Sequence, residues 1–270
     1  TVNDVCSVDR CDCIVVCGGG SVIDTGKALR VALQKGGALT DDDFALTHSA
    51  EDCVPLIVLP TTAGTGAEVT SNAVLGALNS LAKISLRGPA LQPDVALVDP
   101  TLMLSAPKSV VLYSGLDAVV QNIEAYTSAY SSPLTQAFSG PAIKSTLMAL
   151  RDVLESGHAG AWSQLAFGSL SSGLALANGG LGAAHGLASV LGGACSGPHG
   201  ALCGRLLTPV MRANIKSPFC TVRIQSDIEF CQNAIAQVFE PTDPVDPCSG
   251  FDRWVDAQDL PRLSHWGVRT

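Results

Sequence analysis

The stretch Gly18-Gly19-Gly20-Ser21 constrains the fold of this chain more than any other. The apolar residues 14–16 before it predict a buried strand, and a helical pattern begins at Ser21. A strand that stops on glycines and opens a helix leaves unpaired backbone N–H groups at the helix N-terminus, which favour a phosphate group. Glycine lets the backbone approach such an anion closely. A glycine turn without a ligand is the alternative, because short glycine motifs also occur by chance.

A second turn of small and hydroxyl-bearing residues follows the next predicted strand. That strand is predicted at residues 54–60, and Thr61, Thr62 and Thr65 come directly after it. Their hydroxyl groups can donate hydrogen bonds to phosphate or ribose oxygens, although an ordinary polar turn has the same composition. Ligands of open α/β sheets bind at the carboxyl ends of strands, so two such turns together favour a bound nucleotide.

The chain changes character near residue 105. Before it, short extended segments at residues 72–86 and a third buried strand at residues 93–100 complete an α/β pattern with parallel strands. After it, apolar residues recur at helical spacing, with helices predicted at residues 109–130, 133–156 (interrupted near Gly140-Pro141), 161–177, 183–191, 202–215 and 227–239. We therefore predict an α/β domain at residues 1–104 and an all-α domain at residues 105–270. Because no strand–helix unit precedes the first strand, we expect that an N-terminal portion is missing from this sequence.

Composition argues against several classes of function. The chain has 270 residues, of which 47% are hydrophobic and 15% charged, so it can bury a large core. A net charge of −8 and the lack of a basic block argue against nucleic acid or an anionic membrane as partner. No segment approaches the roughly 20 apolar residues of a membrane helix, and no signal peptide opens the chain, so we expect a cytoplasmic protein. The ten cysteines form no CxxC pair, which argues against a zinc ribbon.

Polar residues in the helical half form a candidate reaction site. Asp117 and Gln121 are four positions apart, so both side chains can reach one point beside a helix. With His185 and His199 they offer one carboxylate, one amide and two imidazoles to a divalent cation. Gln121 is the weakest of these candidate ligands, because an amide oxygen binds transition metals poorly. The alternative is that both histidines are ordinary core or capping residues.

Six segments, in order along the chain, resemble the iron-containing (group III) alcohol dehydrogenases. They are residues 18–27, 60–68, 94–100, 115–118, 124–126 and 185–200. This family includes maleylacetate reductases and shares its fold with dehydroquinate synthase. The resemblance implies a domain that binds NAD or NADP, a helical domain that holds iron or zinc, and a homodimer. It also implies a small alcohol, aldehyde or keto substrate, whose oxygen the metal polarises while hydride moves to or from nicotinamide.

The resemblance also implies roles for individual residues. The implied cofactor-binding residues are Gly19, Gly20, Ser21, Thr61, Thr62, Thr65, Asn72 and Lys83. The implied catalytic residues are Asp117, Gln121, His185, Ser189 and His199, with Asp117, His185 and His199 as metal ligands. Gln121 and Ser189 depart from the family, which has a histidine at the first position in its metal-dependent members and at the second in many members. Glu124 and Tyr126 match the family and are interpreted as structural.

These observations leave three functions open. The first is an oxidoreductase, in which a metal or, without one, the two imidazoles and Gln121 stabilise the substrate oxygen as it gains charge. The second is a non-redox lyase or cyclase reaction on the same fold. The third is a non-catalytic family member that binds or scaffolds. The two phosphate-binding turns favour the first, whereas the departures at positions 121 and 189 motivate the third.

Overall fold

The computed structural model describes residues 11–76 and 83–268 of the chain, with strands in the first part and long helices in the second. The strands are β1 Ile14–Gly18, β2 Leu56–Pro60, β3 Asn72–Gly76, β4 Lys83–Arg87 and β5 Val95–Ala96. The helices are α1 Gly20–Lys35, α2 Lys108–Thr127, α3 Pro133–Ser156, α4 Ala159–Gly179, α5 Ala183–Ala194, α6 His199–Ile215, α7 Val222–Val238 and α8 Ser249–Ala257. The predicted fold class, an α/β part followed by an all-α part, is confirmed.

The parallel sheet is ordered β1-β2-β5 and is covered on one face by α1. A side chain at Gly26 of α1 would place its Cβ 2.2 Å from Cγ2 of Val16, so the helix lies directly on β1. The opposite face of β1 is open, and Val15 is 60% exposed there. The prediction of a buried strand at residues 14–16 was therefore wrong for Val15. The predicted third buried strand was also wrong in extent, because β5 has two residues and both are exposed.

A two-stranded antiparallel sheet, β3 with β4, follows the second turn and confirms the two predicted extended segments. It is joined to α1 by Lys27, whose side chain is fully buried. The Lys27 ammonium donates to the carbonyl oxygens of Thr70 and Asn72 at 2.7 and 2.9 Å. Lys83 begins β4, where its backbone pairs with Gly76.

The central helix of the second part is α2. Every residue from Gly115 to Ala125 is buried, because α3, α4 and α6 pack around this helix. Apolar side chains from all of these helices form one continuous core. A helix that is buried on all sides must pair its polar side chains with protein partners, since unpaired buried polar groups are costly. Asp117, Gln121 and Glu124 are three such residues, and their partners form the candidate site.

Several features of the helices differ from the sequence predictions. Helix α3 runs through Pro141 without interruption, because Pro141 and the Ala137 carbonyl that loses its hydrogen bond both lie on the exposed side. Helices α6 and α7 begin at His199 and Val222, earlier than the predicted residues 202 and 227, and α8 was not predicted. Among the described residues no single helix is long and apolar enough to cross a membrane. Helices α4 and α5 reach that length and apolar composition when taken together, but they are bent by 99° relative to each other.

Candidate functional site

The glycine turn leaves two backbone donors at the start of α1. The helix begins at Gly20, with Gly19 as its N-cap residue, so Ser21 lies inside the first turn. The amides of Val22 and Ile23 donate to the Gly19 carbonyl at 2.9 and 3.0 Å. Within the described part of the chain, no backbone hydrogen bond uses the amides of Gly20 and Ser21. Both amides are therefore available to an anion at the positive end of the helix dipole.

The threonine turn lies against the glycine turn. Parallel pairing of β1 with β2 places Gly18 beside Pro60, and the Thr61 amide donates to the Gly18 carbonyl at 3.0 Å. A Cβ at Gly19 would lie 3.2 Å from Oγ1 of Thr62. At Gly20 it would lie only 2.6 Å from Cγ2 of Thr65. The two turns can approach this closely only because the first one carries no side chains.

A cleft of about 290 Å³ joins both turns to the helical part. Its lining residues come from the two turns and from the N-terminal halves of α2 and α6, and they are Gly19, Gly20, Ser21, Val22, Thr62, Thr65, Val110, Tyr113, Ser114, Asp117, His199 and Gly200. Five predicted cofactor residues and two predicted metal ligands thus border one space. Thr61 and Asn72 are not among its lining residues; the Asn72 carbonyl accepts a hydrogen bond from Lys27.

Three of the predicted metal ligands converge at the inner end of this cleft. The Asp117 carboxylate lies with Oδ1 3.2 Å from Nε2 of His185 and 3.6 Å from Nε2 of His199. Asp117 and His185 are buried, whereas the His199 side chain is 38% exposed and borders the cleft. Ser189 lies one turn after His185 on α5, and it is exposed.

Glu124 holds His185 from the other side. Its Oε2 lies 2.7 Å from Nδ1 of His185, and the two carboxylate oxygens accept the backbone amides of Ala184 and His185 at 2.6 and 3.1 Å. The carboxylate therefore caps the N-terminus of α5 and turns Nε2 of the ring toward Asp117. The structural interpretation of Glu124 from sequence missed this contact. Its position seven residues after Asp117, two helical turns along the same face, was the available signal.

The Gln121 amide lies beside the cluster with its nitrogen toward Asp117. Its Oε1 accepts a hydrogen bond of 2.7 Å from the Ser172 hydroxyl. Its Nε2 lies 3.4 Å from both the Thr65 carbonyl oxygen and Oδ2 of Asp117. Because a carbonyl oxygen only accepts hydrogen bonds, Thr65 fixes the nitrogen on this side. The atom of Gln121 that could bind a cation is therefore directed away from the cluster.

Cys203 is a fourth member of the cluster that the sequence analysis missed. Its Sγ lies 3.6 Å from Nε2 of His199, and the thiol also contacts Asp117 and His185. One ligand atom from each of these four residues lies within 4.8 Å of every other. The spacing of four positions between His199 and Cys203 on one helix was the available signal.

The charges of the cluster are strongly coupled. Burial alone would raise the pKa of Asp117, but the hydrogen bond from His185 and the nearby His199 outweigh it and lower that pKa. Glu124 responds in the same way, because hydrogen bonds from the His185 ring and from the α5 amides overcome the effect of burial and lower its pKa. Burial would lower the pKa of His185, yet its contacts with Asp117, Cys203 and Glu124 raise it well above the usual value. Burial also raises the pKa of the Cys203 thiol to about 11.

This donor set suits a divalent cation. Carboxylate oxygen, imidazole nitrogen and thiol sulfur are the ligand types that zinc and related metals bind in proteins. The His185 ring contacts a carboxylate on each side, and a cation bound at Nε2 would replace the proton that this nitrogen directs at Asp117. Three of the four donors are buried, so a cation here would pair with the Asp117 carboxylate away from water.

Comparisons with known proteins agree with this geometry. The family model described as iron-containing alcohol dehydrogenase matches residues 2–100, and that of the C-terminal part of the Fe-containing alcohol dehydrogenase family matches residues 111–251. An NAD-dependent methanol dehydrogenase of Bacillus methanolicus is 35% identical over 208 residues, which are 76% of this chain and 54% of that protein. The chain thus spans about half the length of the curated relatives that it matches.

Solved structures give the same result for the fold. A 1,3-propanediol oxidoreductase superposes with a TM-score of 0.81 at 28% identity, over 99% of this chain and 71% of its own. A maleylacetate reductase from Rhizobium sp. strain MTP-10005 superposes with a TM-score of 0.74 at 25% identity, over 96% of this chain and 64% of its own. With both family models matched in order along the sequence, the chain belongs to the iron-containing alcohol dehydrogenase family.

Proposed function

We propose that this chain carries the nucleotide and metal sites of an NAD(P)-dependent oxidoreductase that transfers hydride between nicotinamide and a small alcohol or carbonyl substrate. One observation carries the proposal: a single cleft is bordered by the glycine turn, by the threonine turn and by two members of the polar cluster. Hydride transfer needs the nicotinamide ring and the polarised oxygen side by side, and this cleft provides adjoining places for both.

The diphosphate would lie at the start of α1. The amides of Gly20 and Ser21 would donate to it, and the hydroxyls of Thr62 and Thr65 would donate from the facing turn. None of the described residues that line the cleft is a lysine or an arginine. Among the residues described at the cleft, the backbone amides and the helix dipole would supply the attraction for the phosphates, and glycine lets the phosphates approach these amides closely.

The metal would be held by Asp117, His185 and His199. When bound, a divalent cation would act as a Lewis acid toward the substrate oxygen. Glu124 keeps the His185 ring oriented toward Asp117, and His199 brings the cluster to the cleft wall. The assignment of Ser189, Asn72 and Lys83 to the site, the domain boundary at residue 104, the homodimer and the cytoplasmic location stay predictions.

Nucleotide binding gives a direct test with a matched pair of variants. NADH and NADPH are titrated into the 270-residue chain and into Gly20→Val by calorimetry. Valine at position 20 would fill the space between the turns, so we expect binding to the parent chain and its loss in Gly20→Val. Gly37→Ala is the control, because a Cβ there meets no atom within 4 Å. Equal binding by Gly20→Val, or no binding by a folded parent chain, contradicts the proposed nucleotide site.

Turnover separates the oxidoreductase from the other two candidates. NADH and NADPH oxidation is followed with a panel of aldehydes and keto acids, with and without added zinc or iron. We expect oxidation of the cofactor with at least one carbonyl substrate. Turnover of a substrate with the cofactor unchanged in redox state would instead favour a lyase or cyclase, and failure to bind either cofactor would favour a non-catalytic member.

A further inference from the structure

We propose that Cys203 is the fourth metal ligand of this chain, so that the site is formed by one carboxylate, two imidazoles and one thiolate and selects zinc over iron. The proposal rests on the metal part of the proposed function and deepens it. It concerns a residue outside the predicted ligand set, at a site where Gln121 stands in place of the histidine that the resemblance implies as the third imidazole.

The distances between the donor atoms match those of a tetrahedral zinc site. Zinc–ligand bonds of about 2.0 to 2.3 Å at tetrahedral angles place oxygen and nitrogen donors roughly 3.3 Å apart, and nitrogen and sulfur donors roughly 3.6 Å apart. The observed separations are 3.2 Å between Asp117 and His185, 3.6 Å between Asp117 and His199, and 3.6 Å between His199 and Cys203. The other three pairs of ligand atoms lie within 4.8 Å of one another, so all four donors surround a single point that a cation could occupy.

Gln121 leaves the fourth position to Cys203. The Gln121 oxygen accepts a hydrogen bond from Ser172, and the Gln121 nitrogen faces Asp117. This side chain therefore directs an N–H group, which cannot bind a metal, to the place where a ligand atom would be needed. Among the described residues, the group of candidate ligands at this point contains one thiol, that of Cys203, and one carboxylate, that of Asp117.

Close packing of α6 on α2 holds the Cys203 sulfur in place. A Cβ at Gly200 would lie 2.0 Å from the Tyr113 carbonyl oxygen, and one at Gly204 would lie 2.7 Å from Cδ1 of Leu116. These two glycines precede and follow Cys203 on the helix, so the thiol is fixed at the contact between the two helices. Cys203 is also fully buried, so the surrounding side chains restrict the rotation of its thiol.

A thiolate changes which metal the site prefers. Soft sulfur donors favour zinc over the harder iron(II) ion, and binding requires that the thiol release its proton. The proton bound between His185 and Asp117 would leave as well, and both protons pass to solvent as the cation enters. Asp117 and His199 border the cleft, so a cation held by these residues would face the space that a substrate oxygen would enter.

Cobalt(II) substitution tests the assignment by spectroscopy, independently of activity. Cobalt is titrated into the metal-free chain, into Cys203→Ser and into the double variant Cys13→Ser/Cys17→Ser. We expect d–d bands in all three, and a near-ultraviolet sulfur-to-cobalt charge-transfer band only in the parent chain and the double variant. Cys13 and Cys17 are exposed thiols, so their variant controls for adventitious cobalt binding. Zinc affinity of Cys203→Ser, measured by chelator competition, should fall at least ~tenfold, since loss of outer-shell partners alone costs about 10–100-fold.

The result that overturns this proposal is cobalt bound with d–d bands but no Cys203-dependent charge-transfer band; the metal role in the proposed function would then survive. Failure of the parent chain to bind cobalt or zinc overturns it as well, and the NADH titration then decides separately whether the nucleotide site stands. The double variant Gln121→His/Cys203→Ser guards against a folding defect. In Gln121→His/Cys203→Ser we expect that the new imidazole restores cobalt binding without the charge-transfer band. Retention of the charge-transfer band in Gln121→His/Cys203→Ser would also refute the role of Cys203.

Discussion

Glu124 and His185 are joined twice, because the same oxygen, Oε2, lies 2.7 Å from the ring Nδ1 and 3.1 Å from the backbone amide of His185. One carboxylate thus fixes both the start of α5 and the orientation of the ring that this helix carries. The ring nitrogen that faces Asp117 is consequently set by a residue outside the proposed metal ligands.

The Glu124→Gln variant tests this link. Glutamine keeps the size of the side chain but removes the charge that orients and polarises the imidazole. We expect zinc affinity to fall about 10–100-fold and the free energy of unfolding to fall by about 1–3 kcal/mol. Chelator competition and urea denaturation measure the two effects. Glu229→Gln, the same change on the exposed face of α7, should alter neither, and equal losses in both variants would speak against a specific role for Glu124.

A second prediction concerns the contact between α6 and α2. In Gly200→Ala the new methyl group would clash with the Tyr113 carbonyl oxygen, a backbone atom of α2 that cannot move without distorting the helix. We expect a loss of about 1–3 kcal/mol in unfolding free energy, and weaker zinc binding because His199 and Cys203 move away from Asp117. Gly186→Ala is the matched control, because Gly186 also lies in a helix and a Cβ there would have no atom within 4 Å. It should stabilise the chain by about 0.5–1 kcal/mol. Unchanged stability and zinc affinity in Gly200→Ala would contradict the close packing of the helices.

The parts of this site that the sequence predicted are those encoded over a few neighbouring residues. The glycine turn after β1 and the threonine turn after β2 were predicted because strand, turn and helix signals follow one another directly. Asp117, His185 and His199 were candidate ligands from their residue types, the family resemblance implied the same role, and the structure brings them together. The predicted helices were confirmed wherever apolar residues recur at helical spacing over three or more turns.

The parts that sequence did not predict depend on packing between distant segments. In the sequence, Cys203 cannot be distinguished from a core cysteine, because its contact with the cluster comes from the packing of α6 on α2. The role of Glu124 likewise comes from the start of α5, which lies beside it in the fold. The orientation of Gln121 is set by Ser172 and by the Thr65 carbonyl, both far away in the sequence. The exposure of Val15 likewise follows from the open face of the sheet, which an apolar run cannot reveal.

A third prediction concerns the threonine turn. Thr62 lines the cleft, and Thr62→Val replaces its hydroxyl with a methyl group of nearly the same size. Because a hydrogen bond to a charged group contributes about 1.5–3 kcal/mol, we expect NADH affinity to fall roughly 10–100-fold. Thr25→Val is the control, since the Thr25 hydroxyl bonds to the Ser21 carbonyl of its own helix. Calorimetric titration of both variants checks the prediction, and similar affinities would remove Thr62 from the nucleotide site.

The last prediction concerns pH and the buried Lys27. Burial is the largest influence on this ammonium and lowers its pKa to about 8, although the charges of Asp24 and Glu68 act in the opposite direction. The unfolded chain, with the ordinary lysine pKa near 10.5, therefore binds more protons than the folded chain between these two values. Stability rises with pH wherever the unfolded state binds more protons. The contribution of Lys27 to the free energy of unfolding should thus increase from about pH 8 to pH 10, by an amount on the order of 2 kcal/mol.

A difference measurement is needed to isolate this contribution. Burial raises the pKa of the Cys203, Cys231 and Cys248 thiols, so these groups act oppositely and reduce stability as pH rises above the ordinary thiol value of 9.0. The same thiols are present in Lys27→Met, which lacks the ammonium. We therefore expect the unfolding free energy of the parent chain, minus that of Lys27→Met, to increase between pH 8 and pH 10. Urea denaturation at half-unit pH steps measures it, and a difference that stays flat or decreases would show that Lys27 keeps its proton in the folded chain.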